Sequence, residues 1–170
     1  MMKLYHGTTS SYVNSIRNGI DLSYSEEKSD FYRGFYLTGD YKQAMRWADR
    51  KSRIRPSVLP VVLIYECSEK ALMGLAHLRF SAATNEWKEF VYNNRTLSCD
   101  NNNHNIDCKY DWVQGPLCDG NMTDLKLVAC GEMTKQEFIN KNCKSIGQQI
   151  SFHTEAAIRL LKLKGVVQND

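Results

Sequence analysis

The sequence predicts an α+β fold in a single domain spanning residues 1–170, and three observations support that expectation. Runs rich in β-branched and aromatic residues, above all Val58–Glu66, alternate with segments of helical periodicity. Capping signals open several of those helices: Thr84, the box Thr134-x-x-Glu137, and Thr154. No internal repeat and no linker-like stretch divides the chain, and its 170 residues suffice to bury roughly two-thirds of the unfolded surface.

Composition narrows the class. With 42% hydrophobic and 24% charged residues this is an ordinary water-facing globule. No apolar run approaches the roughly twenty residues of a membrane span. Met1–His6 also lacks the apolar core of a signal peptide, so the expectation is a cytoplasmic protein with no membrane partner. A net charge of +3 does not by itself argue for nucleic acid. The six cysteines (Cys67, Cys99, Cys108, Cys118, Cys130, Cys143) contain no C-x-x-C pair, which disfavours a zinc ribbon. Cys99, His104 and Cys108 lie in or beside the Asn-rich stretch Asp100–Asn105 and form a weak metal grouping. Free thiols and no metal are the expectation for a chain without an export signal.

Taken in order, Lys3–Tyr5 is a short β-type run that His6-Gly7-Thr8 ends. Ser10 or Ser11 caps a helix bearing Tyr12, Val13 and Ile16, which Asn18-Gly19 stops. Asp21–Arg33 is polar, with few apolar anchors, and reads as a mobile loop able to cover a site. Gly34 leads into a strand at Phe35–Leu37. Gly39-Asp40 breaks it and starts a helix with Ala44, Trp47 and Ala48 on its apolar side. Arg46, Arg50, Lys51, Arg53 and Arg55 crowd that helix's end, where cations complement the dipole; phosphate capture is the alternative.

Val58–Glu66 is the best strand and is expected to be central, with Pro60 at its start. Short β-type segments fill Ala71–Phe80. A helix over Asn85–Asn93 turns Trp87, Phe90 and Val91 to one side. Thr96–Lys109 is a long Asn-rich loop. Tyr110–Gly115 is a strand closed by Gly115-Pro116, Asp119-Gly120 a turn, and Leu125–Ala129 a short helix stopped by Gly131. After the helix Lys135–Lys141, a strand at Gln149–Phe152 leads to a final helix reaching about Lys164.

The candidate chemistry lies near the amino end. Gly7 lets a ligand approach the backbone, and Thr8 and the amides after it are donors. His6 has one ring nitrogen for a hydroxyl while the backbone holds the other. Tyr36 leaves its strand on one side of a cleft and Trp47, three turns on, faces it; two aromatic walls suit a flat ring. The alternative for both aromatics is plain core.

These features resemble the ADP-ribosyltransferase superfamily, in its diphtheria-toxin-like and poly(ADP-ribose) polymerase-like branch. The counterparts are His6-Gly7-Thr8, Gly34-Phe35-Tyr36-Leu37, and Trp47 eleven residues after the tyrosine. The chain is more closely similar to a bacterial family of uncharacterised proteins sharing five motifs, present as Leu4–Thr8, Gly34–Thr38, Glu86–Val91, Tyr110–Pro116 and Gln149–Glu155. The resemblance implies a split mixed β-sheet with flanking helices, and NAD as substrate in an open cleft. His6, Gly7, Thr8, Gly34, Phe35, Tyr36 and Trp47 are then the NAD-binding residues, with the aromatics on the nicotinamide. The implied activity is mono-ADP-ribosyl transfer to a macromolecular acceptor, protein or nucleic acid. A toxin or effector role, with a neutralising antitoxin as partner, is implied in the same way.

The family's late-strand glutamate, which holds the ribose 2′-hydroxyl, falls on Gln149. Glutamine keeps the hydrogen bond and brings no charge, which weighs against a fast reaction and against polymer elongation. Glu86 and then Glu155 are the substitutes, each also explained by its place in a first helical turn. Asp111 stays open, Asp119 is structural and His153 is a surface residue. The catalytic set is therefore His6, Tyr36, Gln149 and Glu86. Two other readings are an inactive NAD-binding module, for which Gln149 is the motive, and an RNA 2′-phosphotransferase-like enzyme, which needs several arginines on a phosphate.

Overall fold

The computed structural model describes residues 1–54, 57–119 and 122–168. Strand β1 (Met2–Thr9) leads through a 3-10 turn at Ser10–Tyr12 into α1 (Val13–Asn18), which ends at Gly19. A second 3-10 turn, Leu22–Tyr24, precedes β2 (Phe35–Leu37) and α2 (Tyr41–Arg53). Next come β3 (Pro60–Cys67), α3 (Glu69–Leu72), β4 (His77–Arg79) and α4 (Asn85–Thr96). The chain continues through β5 (Trp112–Asp119), α5 (Met122–Ala129), α6 (Lys135–Asn142), β6 (Lys144–Phe152), α7 (Glu155–Ile158) and β7 (Lys162–Gln168).

The strands form two sheets. The first has the order β1-β3-β7 and is antiparallel throughout. The second has the order β2-β6-β5-β4, antiparallel except for the parallel β4–β5 pair. One bridge joins them: Tyr5 and Thr38 exchange backbone hydrogen bonds of 2.8 and 3.0 Å.

Strand alternation sorts the side chains into two cores. Leu4, Phe35, Leu37, Val61, Leu63, Tyr65, Ile150 and Phe152 share one face of both sheets and pack with Ala157 of α7. On the second sheet's other face, Val113 meets Phe31, Trp87, Phe90, Leu125 and Phe138 from the loop before β2 and from α4, α5 and α6. Full burial of an apolar side chain of this size stabilises by roughly 1.5–3 kcal/mol. Val61, Val62 and Leu63 are all fully buried, as expected for the central strand of its sheet.

Local chemistry sets the helix starts. Asp40 accepts from the Lys42 amide at 2.8 Å at the start of α2, and Thr84 accepts from the Trp87 amide at 3.2 Å at the start of α4. The Thr134–Glu137 capping box is complete, and Thr154 caps α7.

Several expectations are corrected. Strand β1 does not stop at Tyr5: pairing with β3 carries it through His6-Gly7-Thr8 to Thr9. Neither Ser10 nor Ser11 caps α1. Ala71–Phe80 holds the end of α3 as well as β4. Strand β5 continues through Gly115-Pro116, because β4 pairs only with Trp112–Gln114 and leaves β5 an open side where proline is tolerated. The final helix ends at Ile158; pairing with β3 makes residues 162–168 a strand despite the helical spacing of Leu160 and Leu161. The segment before β2 is anchored, since Phe31 is 0% and Asp30 5% exposed. Arg55, Pro56 and Gly120 lie outside the described residues. Among the described residues no helix is long and apolar enough to cross a membrane.

Candidate functional site

The two sheets part company immediately after the Tyr5–Thr38 bridge, and the residues singled out at the amino end sit at that parting. Tyr5 directs both backbone groups at β2, so Gly7, two residues on, aims its own the same way. Tyr36 aims back from β2. No further β1–β2 bridge forms among the described residues. Instead His6 Nδ1 lies 2.7 Å from the Tyr36 carbonyl oxygen, and the Gly7 carbonyl accepts from Lys51 Nζ at 3.3 Å. The N–H groups of Gly7 and Tyr36 point toward the same gap, by the alternation that sends those of Tyr5 and Thr38 across it.

Because a carbonyl only accepts, His6 carries its proton on Nδ1 and leaves Nε2 as an acceptor. Burial, reinforced by the Lys51 charge, lowers the His6 pKa to about 3. The imidazole is therefore neutral at physiological pH. It stacks on Phe35, with centroids 4.3 Å apart and planes 25° from parallel.

Helix α2 covers the β1 face that bears Tyr5 and Gly7, with Tyr5 and Tyr41 in edge contact at 5.5 Å. A Cβ on Gly7 would collide with the carbonyl oxygen of Ala44. The missing side chain of Gly7 is thus taken up by α2's own backbone, and not by a ligand as the sequence suggested. Lys51 is exposed along its length, yet its ammonium turns back to Gly7 and is desolvated there, which lowers its pKa. Gln43 reaches from α2 to the Gln148 carbonyl on β6 at 2.8 Å, so the flank shared by Gln43, Trp47 and Lys51 is turned toward the second sheet. Trp47 is partly exposed on that flank, with the Arg50 guanidinium 5.0 Å from its ring centre.

Tyr36 and Gln149 project from the face that α2 also covers, while the ring of His6 lies on the other. Tyr36 hydroxyl donates to the Tyr32 carbonyl at 2.6 Å and accepts from the Phe31 amide at 3.0 Å. Burial, with Asp30 nearby, raises its pKa well above the ordinary value, so the phenol stays protonated. Tyr32 is held at φ 71°, a left-handed conformation uncommon for a bulky residue. No ring contact joins Tyr36 to Trp47 among the described residues; the Tyr36 ring lies against Phe31 and His153, at centroid distances of 6.3 and 6.5 Å.

Gln149 is buried and committed. Its amide donates to Asp30 Oδ2 at 2.6 Å and to the Pro116 carbonyl at 3.3 Å. Asp30 Oδ1 takes two bonds from Arg95, 2.8 Å from Nε and 2.5 Å from Nη2, and Oδ2 also accepts from the Cys118 amide at 2.9 Å. A carboxylate therefore stands beside Gln149 after all, neutralised by a buried arginine.

The remaining candidates are elsewhere. Glu86 is exposed in the first turn of α4, in the helical layer outside the second sheet, and is not brought to His6. Glu155 pairs with Arg159 across one exposed turn of α7. Asp111 is structural, accepting from Thr154 Oγ1 at 2.6 Å and the Ala76 amide at 2.9 Å. Thr8 is buried in β1. Gly34 is packed where a Cβ would come within 2.8 Å of His153 Nδ1. His153 is buried, contrary to its expected surface position, and bridges Ser151 Oγ and the Arg33 carbonyl, each at 2.7 Å. Sequence reasoning missed Asp30 as a member of the site, for which the Asp30-Phe31 pair before Gly34 was the available signal, and counted Lys51 among the helix-end cations for which phosphate capture was the alternative.

Two surface grooves lie away from the gap. One of about 500 Å³ is lined by Glu132, Met133, Glu137, Asn140 and Lys141; another of about 380 Å³ lies between Gly19–Ser23 and α7. Neither holds convergent donors of the kind found at His6. Among the described residues no cluster of three or more His, Cys, Asp or Glu is disposed to hold a metal.

Comparison with known proteins adds a family. No curated protein and no solved structure matches the chain. A family model described as "Protein of unknown function (DUF3990)" matches residues 2–163, nearly the whole chain from β1 into β7, and the chain therefore belongs to that family.

Proposed function

We propose that this chain is an NAD-dependent mono-ADP-ribosyltransferase, cleaving the bond between nicotinamide and ribose and passing ADP-ribose to a macromolecular acceptor. The finer fold reading, an ADP-ribosyltransferase-like split sheet, is part of the same proposal. The observation that carries it is the gap at Gly7 and Tyr36, where the strand pairing stops after one bridge and a lysine and a neutral histidine hold the two facing carbonyls.

Each group has a task on this reading. The amides and Lys51 suit the phosphates or carboxamide of NAD, since oriented N–H groups and an ammonium favour negative oxygen. His6 shapes the mouth of the gap by holding the Tyr36 carbonyl through Nδ1. Trp47 offers a partly exposed face to the nicotinamide ring, a contact worth roughly 0.5–1.5 kcal/mol. As the nicotinamide leaves, positive charge builds on the ribose. Gln149 contributes only a dipole there, because the Asp30 charge behind it is shared with Arg95. The acceptor's nucleophile takes the ribose carbon and its proton is released to solvent.

A binding-only module is the second reading, favoured by the commitment of the Gln149 amide to Asp30. Nicotinamide release from NAD by purified protein, with and without cell lysate, separates the two. On the enzymatic reading His6→Ala, Trp47→Ala and Gln149→Ala each lower release, by about 10²-fold where a transition-state contact is lost. Wild-type rates in all three would dismiss this site. NAD binding by calorimetry with no release would establish the module.

A further inference from the structure

The outer face of α2 carries a dense stripe of positive charge. The helix holds five of the chain's 22 basic residues and one of its 19 acidic ones, so its net charge of +4 exceeds the +3 of the whole protein. At 100° per residue, Lys42, Arg46, Arg50 and Arg53 fall in one narrow stripe opposite the buried Ala44 and Ala48. Successive members at four-residue spacing stand about 6 Å apart along the axis.

Helix energetics account for Arg50 and Arg53, in the last turn, but not for Lys42 and Arg46. Cations complement the dipole only near the carboxyl end, yet Lys42 sits in the first turn. Like charges four residues apart also oppose helix formation. Two carboxylates stand near the stripe: Asp49 at its border on the helix itself, and Asp40, 3.9 Å from Arg46, whose side chain is 66% exposed. Along one border of the stripe lies Trp47, partly exposed under Arg50, and beyond it Lys51 at the gap.

We infer that α2 is a docking face for single-stranded nucleic acid. Spaced cations track a phosphate backbone, and a partly exposed indole at their edge stacks a base, the combination by which single strands are held. Apolar exposure beside the stripe is confined to Ile54, 77% exposed, and the partly exposed Trp47, too little to enter a lipid surface, and an acidic protein would leave Trp47 without a purpose. As a binding surface it stands alone. As the acceptor's route to the gap it rests on the transferase reading, and it names the acceptor class.

The test measures anisotropy of labelled 20-nucleotide RNA and DNA against salt. Wild-type protein should bind, with log K falling by about 0.7 per log unit of salt for each phosphate neutralised. The variant Arg46→Gln/Arg50→Gln/Arg53→Gln should bind about tenfold or more weakly and lose about 2 from that slope, with circular dichroism unchanged. The Arg→Lys triple should keep the slope. Trp87 and Trp112 are 0% and 2% exposed, so quenching of tryptophan fluorescence on binding reports Trp47. Equal binding by the Gln triple, or tighter wild-type binding to polyglutamate or anionic vesicles, would overturn the inference. Oligonucleotide binding without nicotinamide release would sink the transferase reading and leave the surface standing.

Discussion

His6 Nδ1 donates to the carbonyl of Tyr36 at 2.7 Å, in the place where the next rung of a β1–β2 ladder would have formed. A side chain substitutes for a backbone rung, and the strands are free to diverge.

That substitution has a pH consequence, shared with His153. Burial lowers the His6 pKa to about 3 and the His153 pKa to about 4, while the unfolded chain titrates near 6.5. Between those values the unfolded state binds protons that the folded state refuses. Stability from these rings is therefore complete above about pH 6.5 and is lost as pH falls. The expected loss is on the order of 1 kcal/mol per pH unit for each ring. Melting temperature from pH 7.5 to 4 checks it, and His153→Gln should show a shallower fall.

Gly7→Ala should destabilise the fold by about 1–3 kcal/mol, because the new methyl meets the Ala44 carbonyl and α2 must move. Gly39→Ala, with nothing within 4 Å of an added Cβ, is the control and should change little. Urea midpoints compare the two. A neutral Gly7→Ala would mean that α2 is not seated as described.

Removing the carboxylate with Asp30→Asn should cost about 3–5 kcal/mol, since it leaves Arg95 buried and without its counter-charge. The loss should appear in the urea midpoint at neutral pH. Glu155→Gln, which breaks an exposed pair, should cost less than about 1 kcal/mol.

On the transferase reading proposed above, Trp47 should report NAD. The other two tryptophans are buried, so quenching on NAD titration should vanish in Trp47→Phe. Quenching that persists in the variant would place the nicotinamide away from α2.

Much of this was legible in the sequence because it is written locally. The caps at Asp40, Thr84 and Thr134, the central strand after Leu59 and the strand–helix unit around Tyr36 all follow from near neighbours. What was hidden depends on distant pairing. Nothing near Leu160 indicates that β3 lies waiting for a partner, so the helical spacing there misled. Asp30 read as one polar residue among many because its partners, Arg95, Cys118 and Gln149, are 65 to 119 residues away. Gly7 announced a close approach but not whose: the visitor is Ala44.

Strand β3 lies between β1, from the start of the chain, and β7, from its end. Its second edge stays bare until the last strand arrives, so folding waits on a contact between segments roughly a hundred residues apart. During synthesis, Val61–Leu63 therefore spends most of its time as an open template for foreign strands. Shortening the chain before Lys162 would make that interval permanent, and aggregation rather than a smaller folded protein is the expected product.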